Sequence, residues 1–176
     1  MSSAQETTGS SVRSADTKKV VQAFDALSTD DKLALLYYVY EKMGDSITPA
    51  APTATNPEFA PRLLGEYFEM SDEDQLAVMR SIVNREDTEL SRAYGALTEN
   101  NQLLVWYAWA VAMGDTVVDI PNGYQPSQVL NDTLSQIEGL EFEGQISLLR
   151  QIAGNMGYSD VKPIPTQAET GKTASL

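Results

Sequence analysis

NNQLLVWYAWAVAM, residues 100–113, and DKLALLYYVYEKM, residues 31–43, decide the fold of this chain. In the first, Leu103, Trp106, Tyr107, Ala110 and Met113 fall on one face at helical spacing. In the second, Leu33, Leu36, Tyr37, Tyr40 and Met43 do the same. Each stripe is aromatic in the middle and runs into Met-Gly-Asp, with Tyr37 and Tyr107 each standing six residues before that Met. The offset between them, 113 − 43 = 70, also lays Leu33 on Leu103, Leu36 on Trp106, and QLAVMRSI from Gln75 on QISLLRQI from Gln145. Two distinct helices repeating at one spacing read as a duplication, giving two similar helical halves. Such halves are expected to pack about a pseudo-twofold axis, by analogy with isologous dimers.

On either side of these two segments the chain reads as helix after helix. Asp16 is placed to cap a first helix carrying Val20, Val21, Phe24 and Leu27. Ser28 with Asp31 resembles a capping box, and Gly44 is placed to end the helix that follows. After a Pro/Ala/Thr loop, Pro61 suits the first position of RLLGEYFEM. Ser71 and Thr88 are caps for the next two helices. Two more are expected, over about 127–138 and 141–156. Only residues 116–120 hint at strand alternation. The polar segment 1–16 and the Pro/Thr-rich tail 161–176 read as disordered flanks of a helical domain over 17–160.

Composition excludes several function classes. The chain has no His and no Cys, so imidazole and thiol catalysis, disulfides and His- or Cys-ligated metal are absent. A formal net charge of −13 disfavours nucleic acid and anionic lipid. No apolar run approaches the ~20 residues of a transmembrane helix. The carboxylates Asp30, Asp31, Asp72, Glu73 and Asp74 read as helix-start charges. Arg80 and Arg150, at matched repeat positions, read as surface or salt-bridge residues. No residue set suggests an enzyme.

The two aromatic stripes are the candidate site. Stripes of this kind usually belong to a core, but Tyr and Trp have polar ends that a dry core must satisfy. A groove between helices tolerates them, with rings stacked on a flat ligand. Ala110 opens a gap among the large side chains.

LSTDDKLALLYYVYEKMGDSITPAAP resembles the carotenoid-binding helical domain at the N-terminal end of the orange carotenoid protein. So do NREDT from Asn84, NNQLLVWYAWAVAM, IPNGYQ from Ile120, and GQISLLRQIAGNMGY from Gly144. The resemblance covers about Thr17 to Tyr158 and is nearest the free-standing helical carotenoid proteins of cyanobacteria. It implies an all-α fold of two interleaved helical bundles with a carotenoid between them. That pigment is a nearly twofold rod about as long as a 20-residue helix, ~30 Å. The implied cofactor is a keto-carotenoid of the canthaxanthin, echinenone or 3'-hydroxyechinenone type, bound non-covalently.

The resemblance places the family's ring-holding aromatics on Trp106 and Tyr107, and its Trp and Tyr of the earlier helix on Tyr37 and Tyr40. Apolar lining falls on Leu33, Leu36, Met79, Leu103, Met113 and Ile120, and a family Gly falls on Ala110. The implied function is photoprotective quenching of singlet oxygen. Alternatives are a phycobilisome-docking quencher or carotenoid carrier, and a pigment-free helical interaction module. Implied partners beyond the carotenoid are the phycobilisome and a carotenoid-exchanging homologue of the family's C-terminal domain. Arg150 is the docking candidate, with Pro52 and Asn100 beside it, although Ala23 replaces a family Arg. The implied place is the cytoplasm, or the periphery of the thylakoid or phycobilisome.

Overall fold

A computed structural model describes residues 17–47 and 60–160. The expected flanks, the cap at Asp16, the Pro/Ala/Thr loop and Pro52 lie outside these residues. Every regular element among the described residues is helical: α1 (17–25), α2 (Thr29–Ile47), α3 (a π-helical turn Arg62–Glu66 continuing into Tyr67–Glu69), α4 (Asp72–Val83), α5 (Glu89–Gly95), α6 (Glu99–Val111), α7 (Gln128–Glu138) and α8 (Phe142–Gly154). The hint of strand at 116–120 reduces to an isolated bridge between Met113 and Val117.

Short hydroxyl side chains start the helices. Ser71, Thr88, Thr98 and Ser127 each accept from the backbone N–H three residues on, satisfying a donor that the helix leaves free. Ser28 does the same for Asp31. The expected capping box is nevertheless only half made, because the Asp31 carboxylate turns away to Tyr124 and Ser127. Gly44 does not end α2, which continues to Ile47. It sits buried inside the helix, where an added Cβ would lie 2.8 Å from the Tyr40 ring. Its repeat mate Gly114 has φ +85° and does turn the chain out of a helix.

The duplication extends to the caps and inner ties. The caps Ser28 and Thr98 stand 70 apart, as do the starts of α4 and α8 (142 − 72 = 70). Buried Gln75 donates from Nε2 to the Tyr67 carbonyl at 3.0 Å, and Gln145 donates to the Ile137 carbonyl at 3.1 Å. Both donors and both acceptors are repeat mates, so each half is locked by the same amide. The halves exchange partners: α2 packs on α7 and α8 of the second half, and α6 packs on α3 of the first.

The chain closes by docking Met156–Tyr158 between α4 and α5. The Gly157 N–H donates to the Ile82 carbonyl at 2.8 Å, and the Tyr158 N–H donates to the Ser91 carbonyl at 3.1 Å. Gly157 takes φ +80°, and a Cβ there would lie 2.5 Å from the Tyr94 ring. Gly95 faces the Tyr158 carbonyl too closely for any Cβ.

Candidate functional site

Two cavities lie where α2 meets α6. The larger, about 150 Å³, is lined on its inner side by Leu33, Leu36, Tyr37, Met79, Trp106, Trp109 and Ala110. The smaller, about 30 Å³, is lined by Leu36, Val39, Tyr40, Gly44, Leu103, Trp106, Tyr107 and Leu149. Leu36 and Trp106 border both, and they are repeat mates. Every other lining residue of the smaller cavity except Gly44 has its mate in the larger: Leu103 with Leu33, Tyr107 with Tyr37, Leu149 with Met79, Val39 with Trp109, Tyr40 with Ala110. The two cavities therefore have repeat-related linings on either side of the shared pair Leu36 and Trp106. They differ in width because Tyr40 fills the space that Ala110 leaves open. At the narrow end the Tyr40 and Tyr107 rings meet edge to face, centroids 5.4 Å apart.

The wide end has a roof and a polar rim. Val118, Asp119, Ile120, Pro121 and Tyr124 cover it, in the loop between α6 and α7. Gln75 pins the start of that loop, donating to the Thr116 carbonyl at 2.7 Å and accepting from the Val118 N–H at 2.8 Å. Asp31 pins its end, accepting from the Tyr124 hydroxyl at 2.5 Å and the Ser127 N–H at 3.3 Å. Burial alone would raise the Asp31 carboxyl, but the hydrogen bonds from Ser127 and Tyr124 outweigh it and hold it below its ordinary range. Burial raises the Tyr124 phenol, and its bond to Asp31 raises it further. On the rim Arg80 grips Asp30 side-on, Nε to Oδ1 at 3.1 Å and Nη2 to Oδ2 at 3.2 Å. Asp30 and Asp31 are thus tertiary partners as well as helix-start charges.

The structure brings the expected lining together. Leu33, Leu36, Tyr37, Met79, Trp106, Ala110, Met113 and Ile120 border the wide cavity, and Tyr40, Leu103 and Tyr107 the narrow one. Arg150 stands apart, exposed on α8 and bordering neither. Trp106 corrects the argument from polar ends. Its indole N–H is satisfied inside the protein, donating to the Tyr94 hydroxyl at 2.9 Å, which itself donates to the Ala153 carbonyl at 2.6 Å. Sequence reasoning missed Trp109, Leu76 and Tyr124. Leu76 sits one turn before Met79 and Trp109 one turn after Trp106, so the helical period that marked their neighbours would have found them. Trp109 is also anchored, stacked on Tyr67 at 4.1 Å and donating to the Leu63 carbonyl at 2.9 Å.

A family profile described as "Orange carotenoid protein, N-terminal" matches residues 10–159. The chain belongs to that family. It is similar to an orange carotenoid-binding domain-containing protein of Nostoc sp. PCC 7120, 41% identical over 78% of this chain and 81% of the relative. It is also similar to the orange carotenoid-binding protein of Limnospira maxima, 36% identical over 81% of this chain but only 45% of the relative. The chain thus spans about half the length of that relative. Among solved structures it is similar to the Red Carotenoid Protein of Anabaena (Nostoc) sp. PCC 7120 binding canthaxanthin. That comparison has TM-score 0.71 and 34% identity, covering 81% of this chain and 99% of the other. Among the described residues no helix is long and apolar enough to cross a membrane, and no group of acidic side chains could hold a metal ion.

Proposed function

We propose that this chain binds one keto-carotenoid non-covalently in the passage between α2 and α6 and acts as a photoprotective quencher of singlet oxygen. The observation that carries this reading is the pair of cavities with repeat-related linings that share Leu36 and Trp106. A rod with two similar ring-bearing ends matches that symmetry. Family membership and the canthaxanthin named for a similar structure support the choice of ligand class.

The side chains suit such a ligand. Tyr37, Trp106, Tyr40 and Tyr107 offer ring faces and edges, while Leu33, Leu103, Met79 and Leu149 supply apolar walls. The chain has no Cys or His, so no thioether or imidazole attachment competes with apolar binding. When bound, the polyene supplies the energy-accepting states; the protein holds and shields it. A cavity of about 150 Å³ takes one small ring, as benzene fits an engineered cavity of that size. A longer ligand must therefore part the Tyr40–Tyr107 pair and the roof loop. Docking on a phycobilisome would draw on exposed Arg150, together with Asn100 among the described residues.

The test is expression beside a keto-carotenoid pathway. Coloured protein with co-eluting pigment, red-shifted from the free pigment, is expected; colourless folded protein would reject the reading. Tyr37→Ala is the informative variant, because Tyr37 is half-buried and Trp106 is tied into the core. It should cut pigment occupancy and lower the holoprotein melting temperature more than that of the unloaded protein. Equal losses in both forms would return Tyr37 to a packing role.

A further inference from the structure

The two halves of the passage share their apolar walls but not their ends. The narrow half is lined by apolar residues, Gly44, Trp106 and two phenols, with no charged group. The wide half carries Asp30, Arg80 and Asp119 on its rim. A ligand with a carbonyl on a terminal ring gains nothing charge-assisted in the narrow half. In the wide half it meets a guanidinium. A carbonyl oxygen accepts but cannot donate, so Asp30 and Asp119 as carboxylates offer it nothing. The Tyr124 proton is committed to Asp31. That leaves Arg80 and the Tyr37 phenol as donors.

We infer that Arg80 is the specificity-determining residue of the site, donating a hydrogen bond to a carbonyl on the terminal ring of the pigment at the wide end of the passage. The inference rests on the carotenoid reading above and adds a direction and a selection rule to it. Asp30 engages Nε and Nη2, which orients the planar guanidinium and leaves both N–H bonds of Nη1 for a ligand. Arg80 is about half exposed, at the boundary between water and the apolar walls. There a bond to a charged donor strengthens once a ring excludes water. Its repeat mate Arg150 borders neither cavity, so the anchor exists at one end only, and a twofold passage becomes polar in direction.

The experiment is competitive loading from equimolar canthaxanthin (a keto group on each ring), zeaxanthin (a hydroxyl on each ring) and β-carotene (no oxygen), with the bound pigments quantified. Wild type should enrich canthaxanthin over β-carotene. Arg80→Met should lose about tenfold of that enrichment, equivalent to about 1.4 kcal/mol. Asp30→Asn keeps the guanidinium but loses the carboxylate that orients it, so it should lose part of the enrichment and clearly less than Arg80→Met does. Unloaded melting curves confirm that the variants fold. Should Arg80→Met not fold, the wild type still decides: its bound canthaxanthin must show a carbonyl stretch lowered from that in apolar solvent. The inference is overturned if that band is unshifted, if Arg80→Met keeps the enrichment, if Asp30→Asn loses as much as Arg80→Met, or if only Tyr37→Phe abolishes it. Wild type that loads all three pigments equally overturns Arg80 while the carotenoid reading stands; wild type that loads none overturns both.

Discussion

Tyr94 shows how a single hydroxyl is used at the centre of this protein. It is fully buried, accepts from Trp106 and donates to the Ala153 carbonyl, so one oxygen ties α5 to α6 and α8. Burial drives its phenol pKa well up, and the bond from Trp106 offsets only part of that. Tyr94→Phe leaves the Trp106 indole N–H unpaired in the core, while the Ala153 carbonyl keeps the Met156 N–H at 3.2 Å. We expect a loss of about 1–3 kcal/mol, measured by urea unfolding of unloaded protein. Trp106 would then lose its orientation as well as its partner, so pigment loading should fall in the same variant.

At the scale of the element, the loop from Gly114 to Ser127 behaves as a roof held by two buried side chains, Gln75 and Asp31. The Asp31 latch has a pH sign. Its folded pKa lies below the ordinary carboxylate value, so its contribution is fully present above that value. It is lost as pH falls through the ordinary value toward the folded one. Asp31→Asn should cost about 1.5–3 kcal/mol at pH 7. The gap from wild type should close as pH falls below the ordinary carboxylate range. Unfolding curves for both proteins at pH 7 and near pH 3 check this; a gap independent of pH would show that the carboxylate charge plays no part. At the other end of the fold, Gly95→Ala should destabilise by about 1–3 kcal/mol, because the Tyr158 carbonyl occupies the space of a Cβ.

Over the whole molecule, the 70-residue repeat gives the two cavities matching linings, yet their volumes differ, about 150 and 30 Å³. Tyr40 and Ala110 are the repeat mates responsible, one filling and one opening its half. Ala110→Leu should therefore act in opposite directions on folding and on binding. Filling part of an apolar cavity should maintain or raise the melting temperature of unloaded protein. Pigment occupancy should fall several-fold, read from the ratio of visible to protein absorbance. Equal occupancy in the variant would remove the wide cavity from the pigment path.

The helices, most of their caps and the 70-residue repeat were legible in the amino-acid sequence. These signals are local: an apolar stripe at helical spacing, a hydroxyl before it, one offset shared by two segments. The two aromatic stripes of α2 and α6 were legible as well, because residues on one helical face move together into whatever that face buries. Gly44 shows the limit of local signals, since the glycine expected to end α2 lies inside it, packed against the Tyr40 ring. The ties of Asp31 to Tyr124, 93 residues away, and of Trp106 to Tyr94 belong to tertiary structure alone. So do the placing of Arg80 on the rim and of Arg150 off it. Such contacts join side chains distant in sequence, each of which also has a sufficient local role as cap, surface charge or core filler. Only packing α2, α4, α6 and the roof loop together selects between those roles.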